Sequence, residues 1–163
     1  MRRFIFSIIL AASLSFTARA DFTGNVVGVA DGDTITVLGV DKVQHKIRLT
    51  GIDAPEKKQP FGNRSKQSLS DMVFKKTVTV ETVKRDRYGR ELGKVLADGK
   101  DVNLEQVRAG IAWHYKAYER TQTATDRQAY AGAENEAKAA KRGLWAGADP
   151  TPPWKWRRSK HKY

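Results

Sequence analysis

Residues 22–52 read FTGNVVGVADGDTITVLGVDKVQHKIRLTGI, and their pattern decides the fold. Val26, Val27 and Val29 lead into Asp31-Gly32, and Thr34-Ile35-Thr36-Val37-Leu38 follows. Gly39 breaks that run. Between Val43 and Ile52, apolar Ile47 and Leu49 then alternate with polar Lys46, Arg48 and Thr50. β-Branched residues at period two predict three short strands. Asp-Gly between such runs predicts a hairpin whose glycine takes a positive φ. Alternation sets Arg48 on the face opposite Ile47 and Leu49.

Outward from this stretch the period changes twice. Pro55 stops the third strand, and the spacing of Leu69, Met72 and Val73 predicts a helix over 61–75. Thr77 to Glu81 returns to period two. Turns at Arg87-Tyr88-Gly89-Arg90 and at Asp98-Gly99 bracket a fifth strand over 92–97. Asn103, with Gln106 three residues on, reads as a capping box opening a helix striped by Leu104, Val107 and Ile111. A last helix is predicted over 124–142, striped by Tyr130, Ala133, Ala137 and Ala140 and closed by Leu144-Trp145.

The order βββ-α-ββ-α-α makes the fold class α+β and β-rich. Five short strands with one helix between the third and fourth suit a Greek-key barrel of the OB type. An open antiparallel sheet covered by helices satisfies the same order. From Pro150 the chain mixes Pro, two Trp and five Lys/Arg without apolar periodicity, which predicts a flexible basic tail over 150–163.

At the other end, Met1-Arg2-Arg3 precedes the uncharged, mostly apolar run Phe4–Phe16, and Ala18-Arg19-Ala20 supplies small residues for cleavage. That order predicts a secretory signal peptide over 1–20, cut after Ala20, since 13 residues fall short of the roughly 20 that span a bilayer. The expectation is an exported protein, periplasmic or secreted, with no stable membrane insertion after cleavage and one domain over 21–149. The 163 residues carry 30 Lys+Arg against 18 Asp+Glu, a net charge of +12. Losing residues 1–20 removes three Arg and no acid. An excess this basic points to a polyanion: nucleic acid, an anionic lipid face or an acidic polysaccharide. The absence of Cys excludes disulfide scaffolds and thiolate zinc sites.

Four polar clusters bear on chemistry: Asp31-Gly32-Asp33-Thr34; Arg48 through Asp53, Ala54, Pro55 and Glu56; the cation-rich turn Lys84 to Arg90; and Trp113-His114-Tyr115-Lys116-Ala117-Tyr118. Each alone has an ordinary reading as a turn, a solvated loop or the edge of a core. Together they meet a chemical specification. Hard carboxylates without His or Cys nearby suit Ca²⁺ or Mg²⁺ rather than zinc. Paired arginines suit phosphate oxygens and the extra charge of a five-coordinate phosphorus. A free carboxylate at Glu56 suits an attacking water.

Asp-Gly-Asp-Thr at 31–34, R-L-x-G-I-D-A-P-E at 48–56 and D-R-Y-G-R at 86–90 resemble, in order and spacing, the motifs of the staphylococcal nuclease-like (thermonuclease) family. The resemblance runs from about Val26 through Leu144-Trp145. It implies a five-stranded OB-fold barrel with three α-helices, and Ca²⁺-dependent cleavage of DNA and RNA leaving 3′-phosphorylated ends, by a monomer. By motif position, Asp33 and Asp53 match the metal carboxylates and Ala54 the residue whose carbonyl binds the metal. Glu56 matches the water-activating carboxylate, and Arg48 and Arg90 the phosphate-binding arginines. Arg87 and Tyr88 match a pair that holds the nucleotide's terminal phosphate and base region, with Tyr115 and Tyr118 as base contacts. Two departures stand out: Ala54 replaces a Thr, and Lys116 falls where the founding member has a stacking Tyr. The competing readings are a nucleic-acid-binding module without catalysis and an envelope protein whose Trp-rich tail touches anionic lipid.

Overall fold

A computed structural model describes residues 21–160; the segment read as a signal peptide lies outside the described residues. In chain order the elements are β1 (Asp21–Val29), β2 (Thr34–Gly39), β3 (Gln44–Leu49), β4 (Ile52–Asp53), α1 (Gly62–Val73), β5 (Thr77–Arg85), β6 (Glu91–Ala97), β7 (Lys100–Asp101), α2 (Val102–Arg108), β8 (Trp113–His114), α3 (Ala124–Ala139) and α4 (Pro153–Lys160). Single 3₁₀ segments cover Lys116–Thr121 and Gly143–Ala146.

The main sheet runs β3-β2-β1-β5-β6-β7 and closes through a parallel pairing of β3 with β6. The five long strands therefore form the barrel expected of an OB fold, and closure excludes the open sheet. Alternation follows from that closure. Ile35, Val37, Ile47, Leu49, Val78, Val80 and Val95 fill the interior, and Leu69 and Val73 of α1 with Val102 and Val107 of α2 cover one end. Tyr130 and Ala133 of α3 join the same core. Ala140, expected on that stripe, lies beyond the end of α3 and is exposed.

Two local expectations are corrected. Gly32 does not adopt a positive φ. Its need is for space, because a Cβ there would stand 1.9 Å from Ser65 Oγ on α1. Nor does Asn103 cap α2. Asp101 does, its carboxylate accepting from Leu104 N at 3.0 Å. Asn103 is instead fully buried, donating to Thr50 O (3.0 Å) and Gly93 O (3.1 Å) and accepting from Val95 N (3.1 Å). It fastens the end of β3 to β6 where the barrel closes. Gln106 does the same for the loop before β2, donating to Gly32 O (2.7 Å) and Ser65 O (3.0 Å). Side chains read as cap and stripe neighbours are thus the braces of the barrel rim.

The larger difference lies in the tail. Residues expected to be a flexible extension contain the two-turn helix α4, which begins at the buried Pro153. Pro fits a first helical turn because its φ is preset and its missing N–H would have no intrahelical partner there. Thr151 O accepts from Gln59 Nε2 at 2.6 Å. The Trp154 ring lies 5.3 Å from Tyr115 and 6.4 Å from Trp113, so α4 packs against β8 and the segment after it.

Candidate active site

Barrel register assembles the site at one rim. Thr34 pairs with Arg48 across β2 and β3, and Leu49 N donates to Asp33 O at 2.8 Å, so Asp33 sits beside the exit of β3. The parallel pairing sets Arg48 opposite Leu92, two residues after Arg90. In β4, Asp53 pairs with Trp113 of β8, and Tyr115 N donates to Gly51 O at 2.8 Å. Four stretches far apart in sequence thereby meet in one cleft of about 610 Å³. Its walls include Asp33, Arg48, Asp53, Ala54, Glu56, Arg87, Tyr88, Arg90, Tyr115 and Tyr118, which are all ten residues singled out by sequence, together with Asp31, Asp86 and Arg157.

The centre of the cleft is a carboxylate–guanidinium cluster. Arg48 Nη2 lies 2.9 Å from Asp53 Oδ1 and 3.1 Å from Asp33 Oδ2, while Nη1 donates to Leu49 O and Ile52 O. Those two carbonyls pin the guanidinium plane, leaving its position independent of any ligand. Asp33 Oδ2 accepts the Ala54 amide at 2.7 Å and Oδ1 the Thr34 hydroxyl at 3.2 Å. Burial pushes the Asp33 carboxyl up to about 7. The Arg48 charge and the Ala54 amide oppose the rise, while Asp31 and Asp53 add to it. Withdrawal from water is thus the dominant influence on this carboxyl.

A second guanidinium enters from α4. Arg157 meets Asp53 through both nitrogens, Nη2–Oδ2 at 2.8 Å and Nη1–Oδ1 at 3.2 Å, and Nη1 also donates to Glu56 Oε1 at 2.7 Å. Burial works against its charge, but these carboxylates outweigh that and raise its affinity for the proton. Arg157 is the functional-site residue that sequence reasoning missed. The available signal was Pro153 ahead of Trp-Lys-Trp-Arg-Arg, a helix start followed by basic residues.

The β5–β6 hairpin supplies the other wall. Asp86 N donates to Arg90 O (2.8 Å), and Gly89 takes a φ of 77°, a left-handed conformation in which a side chain is strained. Asp86 accepts the amides of Tyr88 (2.9 Å) and Arg90 (3.0 Å), and its Oδ2 accepts Arg90 Nε at 2.8 Å. Partial burial would raise the Asp86 carboxyl, yet these hydrogen bonds prevail and hold it below the usual range. Asp86 is thus an ionised orienting group for Arg90, whose terminal nitrogens make no hydrogen bond among the described residues. Arg87 and Tyr88 are exposed at the tip, the guanidinium 4.8 Å over the ring. Tyr115 and Tyr118 face one another at 5.0 Å on the opposite side.

The donor set bears on which cation fits. Among the described residues no cluster of three or more Asp, Glu or His is arranged to hold a metal. Asp33, Asp53 and the Ala54 carbonyl are nonetheless all hard oxygen donors on one wall, beside Glu56. With the buried Asp33, this set fits Ca²⁺ or Mg²⁺, hard cations that accept water for much of their shell.

Comparison with known proteins agrees with this geometry. The family model described as staphylococcal nuclease homologue matches residues 46–147. A protein named uncharacterized endonuclease from Escherichia coli is 51% identical over 142 residues, covering 86% of this chain and 88% of that one. A protein of the same name from Haemophilus influenzae is 40% identical over 151 residues, 93% and 82% of the two chains. A micrococcal nuclease from Shigella flexneri is 42% identical over 155 residues, 90% and 86%. The end of β3, strands β5 and β6, the hairpin with Arg90 and the Tyr115 segment lie inside the matched stretch, and on that ground, with these relatives, the chain belongs to the staphylococcal nuclease homologue family.

Proposed function

We propose that this nuclease is an exported, Ca²⁺-dependent, monomeric phosphodiesterase acting on DNA and RNA and leaving 3′-phosphorylated ends. The observation that carries the reading is the meeting of Asp33, Asp53 and Glu56 with two independently braced arginines in one cleft. Ca²⁺ on the Asp33–Asp53 wall would supply a fixed positive charge for a phosphate oxygen and for the attacking water. Arg48, held by two carbonyls, and Arg90, oriented by Asp86, receive the scissile phosphate from two sides and stabilise the charge that grows on its oxygens. Glu56 sits at the cleft, partly exposed, where a carboxylate takes a hydrogen bond or a proton from water attacking phosphorus. The P–O5′ bond breaks as the new P–O bond forms, and the departing 5′-oxygen takes a proton from solvent water. Tyr115, Tyr118 and the Arg87–Tyr88 tip offer ring faces and a cation to the flanking nucleotide, contacts that tolerate any base.

Export is supported by the order of residues 1–20. It is compatible with the finding that no helix among the described residues is long and apolar enough to cross a membrane. The test is incubation of plasmid DNA, denatured DNA and RNA with the purified protein in Ca²⁺, in Mg²⁺ and in chelator. Degradation in Ca²⁺ that is lost in chelator and in Glu56→Gln is the expected result. Equal degradation in chelator would remove the metal from the reading. Substrate retarded on a gel but left intact would favour a binding module instead.

A further inference from the structure

The α4 helix has no role in the reaction described above, yet its Arg157 is docked at the centre of the site. We propose that α4 is a displaceable strap whose Arg157 occupies Asp53 and Glu56 in place of the divalent cation and must leave when the cation binds. The inference rests on the Ca²⁺ reading of the site and adds to it an internal competitor.

Three observations carry it. First, Arg157 takes both oxygens of Asp53 and one of Glu56, so the carboxylate assigned to the metal and the one assigned to water are engaged at once. A cation on the same oxygens would face a guanidinium within hydrogen-bonding distance of them, a like-charge contact that drives one of the two out. Second, charge balance favours exchange. On the same oxygens Arg157 supplies one positive charge and a divalent cation two. Third, the strap is lightly held. Helix α4 has eight residues and is moored by Pro153, the Trp154 ring and the Gln59–Thr151 hydrogen bond. The Arg157 side chain is 41% exposed, so solvent screens its ion pairs. Residues 150–163 contain no acidic side chain, and the carboxylates that Arg157 meets lie in the cleft.

A site closed most of the time by its own chain binds ligand more weakly by the fraction of time it is open, so a strap docked nine-tenths of the time costs about tenfold in affinity. The test is calorimetric titration of Ca²⁺ alone, without nucleic acid, into the protein and into Arg157→Gln and Trp154→Ala. The expected result is roughly tenfold tighter binding by Arg157→Gln and a smaller gain for Trp154→Ala, which keeps the guanidinium but loosens its mooring. In parallel, Ca²⁺ should speed tryptic cleavage after Arg157 and Arg158 in the unaltered protein. Unchanged or weaker Ca²⁺ binding by Arg157→Gln would overturn the strap while leaving the metal site standing. No Ca²⁺ binding by any of the three would overturn the metal reading, and the strap with it.

Discussion

Asp53 receives two arginines, and they are held by opposite kinds of structure. Arg48 comes from a barrel strand, is 15% exposed and is pinned by two backbone carbonyls, so its place is fixed before any ligand arrives. Arg157 comes from a two-turn helix 104 residues away and is 41% exposed, its helix moored by Pro153, the Trp154 ring and the Gln59–Thr151 hydrogen bond. The contacts look alike in length, 2.9 and 2.8 Å. Their meanings differ because an ion pair's worth depends on what else orders its partners: a preorganised group gives its full interaction to a ligand, while a loosely tethered one spends it on ordering itself. In the proposed reading one arginine is machinery and the other competes with the cation.

Measurement can overturn or refine that contrast. The largest effect belongs to the fixed groups. Arg48→Ala, Arg90→Ala and Glu56→Gln should each lower turnover by about 10²–10³-fold with the fold retained by circular dichroism. Near-normal rates for Arg48→Ala would place the two arginines of Asp53 in one class and undo the comparison. Next comes Asp33, whose carboxyl is raised to about 7 by burial. Metal must displace the proton, so the apparent Ca²⁺ affinity should strengthen about tenfold from pH 6 to pH 8. A folded-state value above the unfolded one also means the metal-free protein gains stability from this proton at low pH and loses it as pH rises through about 7. Asp33→Asn should flatten that component of a melting-temperature profile, and an unchanged profile would assign it elsewhere.

The bracing of the fixed region is tested by Asn103→Ala, which strips Thr50 O, Gly93 O and Val95 N of a buried partner. A loss of about 1–3 kcal/mol for groups left unsatisfied should appear in denaturant melts. A neutral result would mean that water replaces the amide. Smallest is Tyr88→Ala at the exposed hairpin tip, expected to weaken substrate binding by about 1–3 kcal/mol if the ring stacks on a base, with stability unchanged.

What the sequence made legible follows the same division. Period-two alternation in 34–38 and 43–52 exposes a barrel wall because one face must be dry, and it placed Arg48 correctly on the other. The three motifs brought eight of the ten cleft residues within reach, and the aromatic cluster at 113–118 supplied Tyr115 and Tyr118, because the barrel rim dictates the backbone of each stretch. Illegible were features set by contacts across long separations. Asn103 and Gln106 look like a capping pair locally, and only closure of β3 onto β6 shows why they are buried. The order in α4 comes from Trp113 and Tyr115, about 40 residues earlier, so no periodicity within 150–163 announces it. Asp86 was visible only as one member of a charged turn; its hold on Arg90 is a matter of hairpin geometry.

The parallel pairing of β3 with β6 has a consequence in time as well as in space. It joins residues 47–49 to 91–93, and β4 with β8 joins 52–53 to 113–114, so the phosphate-binding side chains share no local segment. Hairpins such as β5–β6 form in microseconds, whereas closing loops of that length carries an entropic cost that slows folding. Arg48 and Arg90 therefore come together only once that loop has closed. A chain still being made, or held unfolded, carries every residue of the nuclease and none of its activity.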